Sequence, residues 1–175
     1  MASDTSIRLK IIIGSTRPNR FSEKPAHWIF EEAKKLEGVE VELLDLRDYP
    51  IPFFDSPVSP SMAQGPSENE VIKRWAEKIS NGDAFIIVTP EYNHGYPAVL
   101  KNAMDVIYHE WKRKPVGFIG YGAAMGPRAV EQLELPEDHA GLAGLGVDAD
   151  RAEGEAEEER TEAAQYRAAH DHRDR

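Results

Sequence analysis

Residues 7–22 read IRLKIIIGSTRPNRFS. Ile7–Ile13 is a short apolar run, rich in β-branched residues and closed by Gly14, which predicts a buried strand. The composition then turns polar through GSTRPNRFS, and Ala26, Ile29, Phe30, Ala33 and Leu36 recur at helical spacing. Pro25 is tolerated in the first turn of such a helix and Gly38 stops it. A buried strand, a turn full of hydrogen-bond donors and an amphipathic helix form the first half of a βαβ unit.

The same alternation continues outward. Val39–Leu46 (VEVELLDL) begins with an in–out pattern, as an edge strand with one wet face does. Residues 49–66 form a long irregular stretch with five prolines, a length that marks functional loops. Ser67 and Glu70 are spaced as a capping box, and Val71, Ile72, Trp75, Ala76 and Ile79 share one helical face behind it. Asn81-Gly82-Asp83 turns the chain into a second continuous apolar strand, Ala84–Val88, closed by Thr89-Pro90. A third helix is expected from about Pro97 to Tyr108, with Leu100, Ala103, Met104 and Ile107 inward, and a fourth strand at Pro115–Ile119. Short buried strands alternating with helices require an α/β architecture, with a parallel sheet and helices on both faces. Ligands of such sheets sit outside the carboxyl ends of the strands. Three strand ends run into loops rich in Gly, Ser, Tyr and Asn: residues 14–22, 89–96 and 120–128.

The first of these loops suits an anion. A helix N-terminus presents unpaired N–H groups; Ser15, Thr16 and Ser22 add hydroxyls, Arg17 adds a planar charged fork, and Arg20 is a further helper. The turn lacks the Gly-Lys-Ser/Thr of a triphosphate-binding loop and the three glycines of a dinucleotide fingerprint, so a terminal monophosphate fits best. The same residues also read as an ordinary turn with a solvated arginine. The second loop, TPEYNHGYP at 89–97, fixes its backbone with Pro90 and Pro97 and allows close approach at Gly95. Backbone N–H groups there can meet the polar edge of a flat ring, and tyrosines can form a stacking wall. A tight turn with incidental aromatics is the plainer reading. His94 is a candidate acid by position only, and a loop histidine beside a glycine is more often structural.

GSTRPNR in the first loop, PEYNHGYPAVLKNAMD at 90–105 and DLRDYP at 45–50 together resemble the NADPH-dependent FMN reductase family, over residues 7 to about 133. The resemblance implies a flavodoxin-like three-layer sandwich with strand order 2-1-3-4 and then a fifth strand, here weak or missing. It implies FMN as cofactor and NADPH or NADH as co-substrate, with a quinone, free flavin, azo compound or metal oxyanion as acceptor. Ser15, Arg17 and Ser22 would meet the phosphate. Pro90, Glu91, Tyr92 and Asn93 would line the ring, and Gly120, Tyr121 and Gly122 match a third flavin-facing loop. No side chain is expected as a catalytic acid or base, because flavin N5 carries the chemistry. Lys101, Asn102 and Asp105 would lie near a dimer contact, in a homodimer or homotetramer. Two other readings stand beside this one: an electron carrier without NAD(P)H turnover, and a reductase defective at its C-terminus. A phosphoacceptor receiver domain on the same fold lacks its acidic pair, since Gly14-Ser15 and Thr89-Pro90 stand at the two strand ends.

Composition excludes further classes. There is no cysteine, so disulfide, thiol and iron–sulfur chemistry are absent. No apolar run is long enough for a membrane span, the N-terminus has no leader pattern, and the expectation is a cytoplasmic protein. Residues 134–175 hold 13 of the 31 acidic residues and 5 of the 21 basic ones, so most of the net charge of −10 sits there. A nearly neutral body with an acidic tail disfavours nucleic acid. The flavodoxin-like part is expected to span 1–133. Beyond it, Pro136 breaks the helix and AGLAGLGV at 140–147 makes a weak strand. The charged, Ala-rich remainder reads as a poorly ordered or loosely helical tail. His170 and His172 are read as solvated, not as metal ligands, and no metal is expected. The loss of lysine after Lys114 and the surge of Ala, Gly, Asp, Glu and Arg resemble a shifted reading frame in a GC-rich gene. A frame encoding a Val/Leu-rich strand after Leu133 is the result this idea expects, and its absence from every frame would end it.

Overall fold

In the computed structural model, residues 6–63, 65, 67–134 and the backbone of 143–146 are described. The strands β1 (Ile7–Ile13), β2 (Val39–Asp45), β3 (Ala84–Pro90), β4 (Pro115–Tyr121) and β5 (Ala143–Gly146) form one parallel sheet of order β2-β1-β3-β4-β5. The fifth strand, expected as weak or missing, is present and pairs with Pro115–Phe118, but it is four residues long and half glycine. The tail readings for residues 147–175, His170 and His172 included, lie outside the described residues.

Helices cover both faces. On one side α1 (Glu23–Ala33) sets Ala26, Ile29 and Phe30 against Ile11, Ile13 and Val88. On the other, α2 (Glu70–Ser80), α3 (Ala98–Asp105) and α4 (Pro127–Leu133) pack Trp75, Ile79, Leu100, Ala103 and Leu133 over Ile12, Ile87, Val116 and Phe118. The continuous apolar runs of β1 and β3 are explained by this double burial. Successive side chains alternate between faces, and both faces are dry.

Four local expectations are corrected. The first helix ends at Ala33; Lys34–Gly38 curl into a turn, and Leu36 is exposed. Gly38, at φ 73°, then reverses the chain with no steric cost. The cap of α2 is Asn69, whose Oδ1 accepts from Val71 N–H at 2.9 Å and Ile72 N–H at 3.2 Å; Ser67 Oγ instead accepts from Asn69 N–H. Helix α3 stops at Asp105, and one helical turn at His109–Trp111 follows. Ile107 nevertheless stays in the core, which is why helical spacing suggested a longer element. Asn102, expected near an assembly surface, is buried. Its amide donates to Pro52 O at 2.9 Å, and its Oδ1 accepts from Phe54 N–H at 2.9 Å, tying the 50s loop to α3.

Arg8 on β1 and Asp83 before β3 close the far end of the sheet. Asp83 accepts from Arg8 N–H and Nε at 2.9 Å and from Nη2 at 2.8 Å, and these bonds hold its carboxyl down at about 2. A carboxyl lowered on folding contributes stability that is fully present above its unfolded value, near 4, and lost as pH falls through the folded one. Unfolding followed from pH 5 to pH 2 should therefore show an acid-side fall that is shallower in Asp83→Asn. An unchanged acid limb would exclude this pair as a contributor.

Candidate functional site

Three loops leave the carboxyl ends of β1, β3 and β4 and meet. The first begins where Gly14 N–H donates to Val88 O at 2.8 Å. A Cβ on Gly14 would stand 2.9 Å from that oxygen and 3.0 Å from Leu100 Cδ2, so the close approach of β1 to β3 requires glycine. Ser15 is buried, and its Oγ lies 3.0 Å from the Tyr92 hydroxyl and 3.4 Å from Arg17 N–H. Ser22, fully buried at the N-terminus of α1, has an Oγ without a hydrogen-bond partner among the described residues. A buried hydroxyl left unpaired costs about 1–3 kcal/mol, which an anion seated in the loop would relieve. Thr16 and Arg17 are exposed, and the Arg17 guanidinium lies 5.7 Å from the centroid of the Tyr92 ring.

Arg20, expected to help at the anion, is engaged elsewhere. Its buried guanidinium donates to both Asp45 oxygens, to Ser15 O and to Glu23 Oε1. Arg47 donates to Thr16 O at 3.3 Å, to Arg17 O and to Glu23 Oε1 at 3.1 Å. Burial alone would raise the Asp45 carboxyl; the Arg20 guanidinium and the Arg47 N–H outweigh it and hold it below the usual carboxylate range.

The second loop starts at Pro90, the last residue of β3, and Glu91 N–H donates to Tyr121 O at 2.8 Å. Tyr92 and Gly95 then close a two-residue turn, with Tyr92 N–H to Gly95 O at 2.7 Å and the return bond at 3.1 Å. Asn93 and His94 carry φ of 50° and 68°, the mirror-image turn that usually demands glycine. Among the described residues no hydrogen bond takes up the N–H groups of Asn93 or His94. Helix α4 holds this turn in place. Arg128 meets the buried Glu91 carboxylate through Nη1 at 2.6 Å and its own N–H at 3.2 Å, and Gln132 Nε2 donates to His94 O at 2.7 Å. The His94 side chain is exposed; its carbonyl, not its imidazole, does the structural work. Sequence reading overlooked Arg128 and Gln132. The available signal was Glu91, alone between a proline and a tyrosine, with two polar residues at i,i+4 spacing one helix later.

In the third loop Gly120 lies against Val130 and Gly126, where a Cβ would come within 2.9 and 3.0 Å of their atoms, so its role is packing. Tyr121 is half-buried with its ring 5.2 Å from that of Phe21. Burial raises its phenol, and the nearby Ser22 pulls it back without reaching hydrogen-bond geometry. Gly122 touches Glu91, 3.2 Å from a Cβ built there. The loops are thus joined in pairs: Ser15 to Tyr92, Glu91 to Tyr121, Phe21 to Tyr121. Of the four guanidiniums around them, Arg20, Arg47 and Arg128 have carboxylate partners, and Arg17 has none among the described residues. A groove of about 640 Å³ between the 50s loop, α2 and the end of α3 shares no residue with the three loops. Its charged lining is Asp55, Glu68 and Glu110 with no lysine or arginine, so it is the wrong place for a phosphate.

Comparison with known proteins gives a consistent picture. The model of the NADPH-dependent FMN reductase family matches residues 7–136. An NAD(P)H-dependent FMN reductase of Schizosaccharomyces pombe is 39% identical over 127 residues, covering 73% of this chain and 64% of its own length. An FMN-dependent NADPH-azoreductase of Staphylococcus aureus is 35% identical over 112 residues, covering 63% of this chain and 57% of its own. The chain thus spans less than two thirds of these relatives. Among solved structures, the flavoenzyme NAD(P)H:(acceptor) oxidoreductase FerB of Paracoccus denitrificans superposes with a TM-score of 0.59 at 24% identity, covering 81% of this chain and 75% of its own, a likeness of fold.

Proposed function

The chain belongs to the NADPH-dependent FMN reductase family, and on that premise we propose that it binds FMN at the three loops and passes electrons from NADPH or NADH to a small acceptor. The observation that carries this reading is the pairing, at one loop, of a buried Ser22 hydroxyl and an Arg17 guanidinium that have no partner among the described residues, next to a turn whose backbone N–H groups are likewise idle among them. The donors suit a phosphate monoester at one end and the polar edge of a flat ring at the other.

The residues divide the work. Ser15, Ser22, Arg17 and the α1 N-terminus hold the phosphate. Pro90, Glu91, Tyr92 and Asn93 set the ring edge: Pro90 and Glu91 fix the backbone, Tyr92 walls the cleft, and Asn93 offers its N–H. Tyr121 and Gly122 close the far side. FMN, when bound, supplies hydride acceptance at N5 and electron delivery to a quinone, azo compound, free flavin or metal oxyanion. No side chain has to move a proton in this scheme, and neither His94 nor Glu91, locked to Arg128, is asked to. Assembly into a homodimer or homotetramer is part of the proposal. It is supported by the exposed Phe53, Phe54, Val58 and Met62 of the 50s loop, beside the exposed Lys101–Asp105 pair of α3.

Steady-state oxidation of NADPH by the FMN-loaded protein, with a quinone as acceptor, tests the reading. Parallel lines in double-reciprocal plots are the expected result, because co-substrate and acceptor would use one face in turn. Flavin binding without NADPH oxidation would replace it with the electron-carrier reading.

A further inference from the structure

We infer that Arg20 and Arg47 are positioning residues for the phosphate loop: they hold its carbonyls backward so that its N–H groups face the anion, and Asp45 and Glu23 hold the two arginines. This inference rests on the reading of residues 14–22 as a phosphate site.

The argument begins with the peptide plane. In a trans peptide the C=O of one residue and the N–H of the next point in opposite directions. Ser15 O is taken by Arg20, so Thr16 N–H points the other way. Thr16 O is taken by Arg47, so Arg17 N–H also points the other way, toward the side on which Ser15 Oγ lies 3.4 Å from it. Arg17 O is taken by Arg47 too, and the next residue, Pro18, has no N–H to turn. Three successive carbonyls are therefore engaged by two guanidiniums. Thr16 N–H and Arg17 N–H are both left pointing away from the guanidiniums, Arg17 N–H to a long bond with Ser15 Oγ at 3.4 Å, and successive N–H groups turned to one side are the start of an anion-binding concavity.

The guanidiniums are themselves fixed. Arg20 is one of the most buried charged side chains among the described residues, and a side chain in that state needs its partners. It has a two-pronged bond to Asp45 at the end of β2 and a third bond to Glu23. Asp45 Oδ1 also accepts from Arg47 N–H at 2.9 Å, and Glu23 Oε1 binds both arginines. The DLR sequence after β2 is thus the anchor of the loop after β1. Neither carboxylate is free to serve the ligand, and both bear the ligand's sign of charge.

That sign makes the inference testable. If Asp45 and Glu23 acted only through their charge, removing either would strengthen binding of an anion. If they act through the arginines, removing either loosens the loop and weakens it. The measurement is the dissociation constant of FMN and of riboflavin, which lacks the phosphate, for wild type, Asp45→Asn and Glu23→Ala, with urea unfolding of each. Glu23 is surface-exposed, so Glu23→Ala remains foldable should Asp45→Asn not be. The expected result is FMN binding weakened about 10-fold or more, the scale of a charge-assisted hydrogen bond, with riboflavin affinity unchanged. FMN binding equal to or tighter than wild type in a folded variant overturns the inference, as does an equal loss for riboflavin. A wild-type chain that binds neither flavin overturns the reading of the site itself, and this inference with it.

Discussion

Trp75→Ala should lower the unfolding free energy by about 3–5 kcal/mol, the range for a large aromatic removed from a core. Trp75 is fully buried on α2. Its ring meets Tyr49 at 5.1 Å and Trp111 at 6.2 Å between centroids, and Trp111 in turn meets Phe85 at 5.2 Å. Its indole N–H donates to Ala103 O at 2.7 Å, the bond that joins α2 to α3. Truncation removes the packing, opens a cavity and strands a buried carbonyl at once. Native domains are stable by only about 5–15 kcal/mol, so roughly a fifth of the margin or more goes. Urea unfolding followed by tyrosine and tryptophan fluorescence measures it. A loss below about 1 kcal/mol would mean that α2 does not pack as described.

Gly126→Ala should destabilise by roughly 2–4 kcal/mol and cost the protein its flavin affinity as well. Gly126 has φ 86°, and a Cβ there would stand 2.5 Å from Tyr121 N and 2.8 Å from Gly120 C. Both are backbone atoms of β4, so no side chain can swing aside. The 122–126 turn has to lift, taking Gly122 off Glu91 and loosening the floor of the second loop. Gly38→Ala is the control. Its φ of 73° carries the same left-handed strain of about 1–2 kcal/mol, but nothing lies within 4 Å of the added carbon. It should cost only that strain and leave FMN affinity intact. Equal effects of the two substitutions on affinity would deny the third loop its role.

What could be read from the sequence followed from periodicity and composition. The runs Ile7–Ile13 and Ala84–Val88 announce strands buried on both faces, and their alternation with helical spacing leaves a parallel sheet as the architecture. The three strand-end loops were legible for the same reason, since topology alone puts them together. Side-chain commitments were not legible. Arg17 and Arg20 are three residues apart in one polar turn, and nothing local says that one has no carboxylate partner among the described residues while the other is buried against Asp45, which lies 25 positions on. Asn102 is placed near an assembly contact only by the family resemblance, and the 50s loop it ties down has no periodicity that would show it buried. Arg128 and Gln132 sit on a helix to which the sequence assigns no contact with the second loop, yet they fix the turn at Tyr92–Gly95.

The most direct measurement is a titration of the purified apoprotein with FMN and with riboflavin, read by flavin fluorescence and the visible spectrum. The geometry predicts one FMN per chain, with riboflavin bound at least about 10-fold more weakly because Ser22, Arg17 and the α1 N-terminus then lack their anion. Equal affinity for the two flavins, or no binding of either, would contradict it.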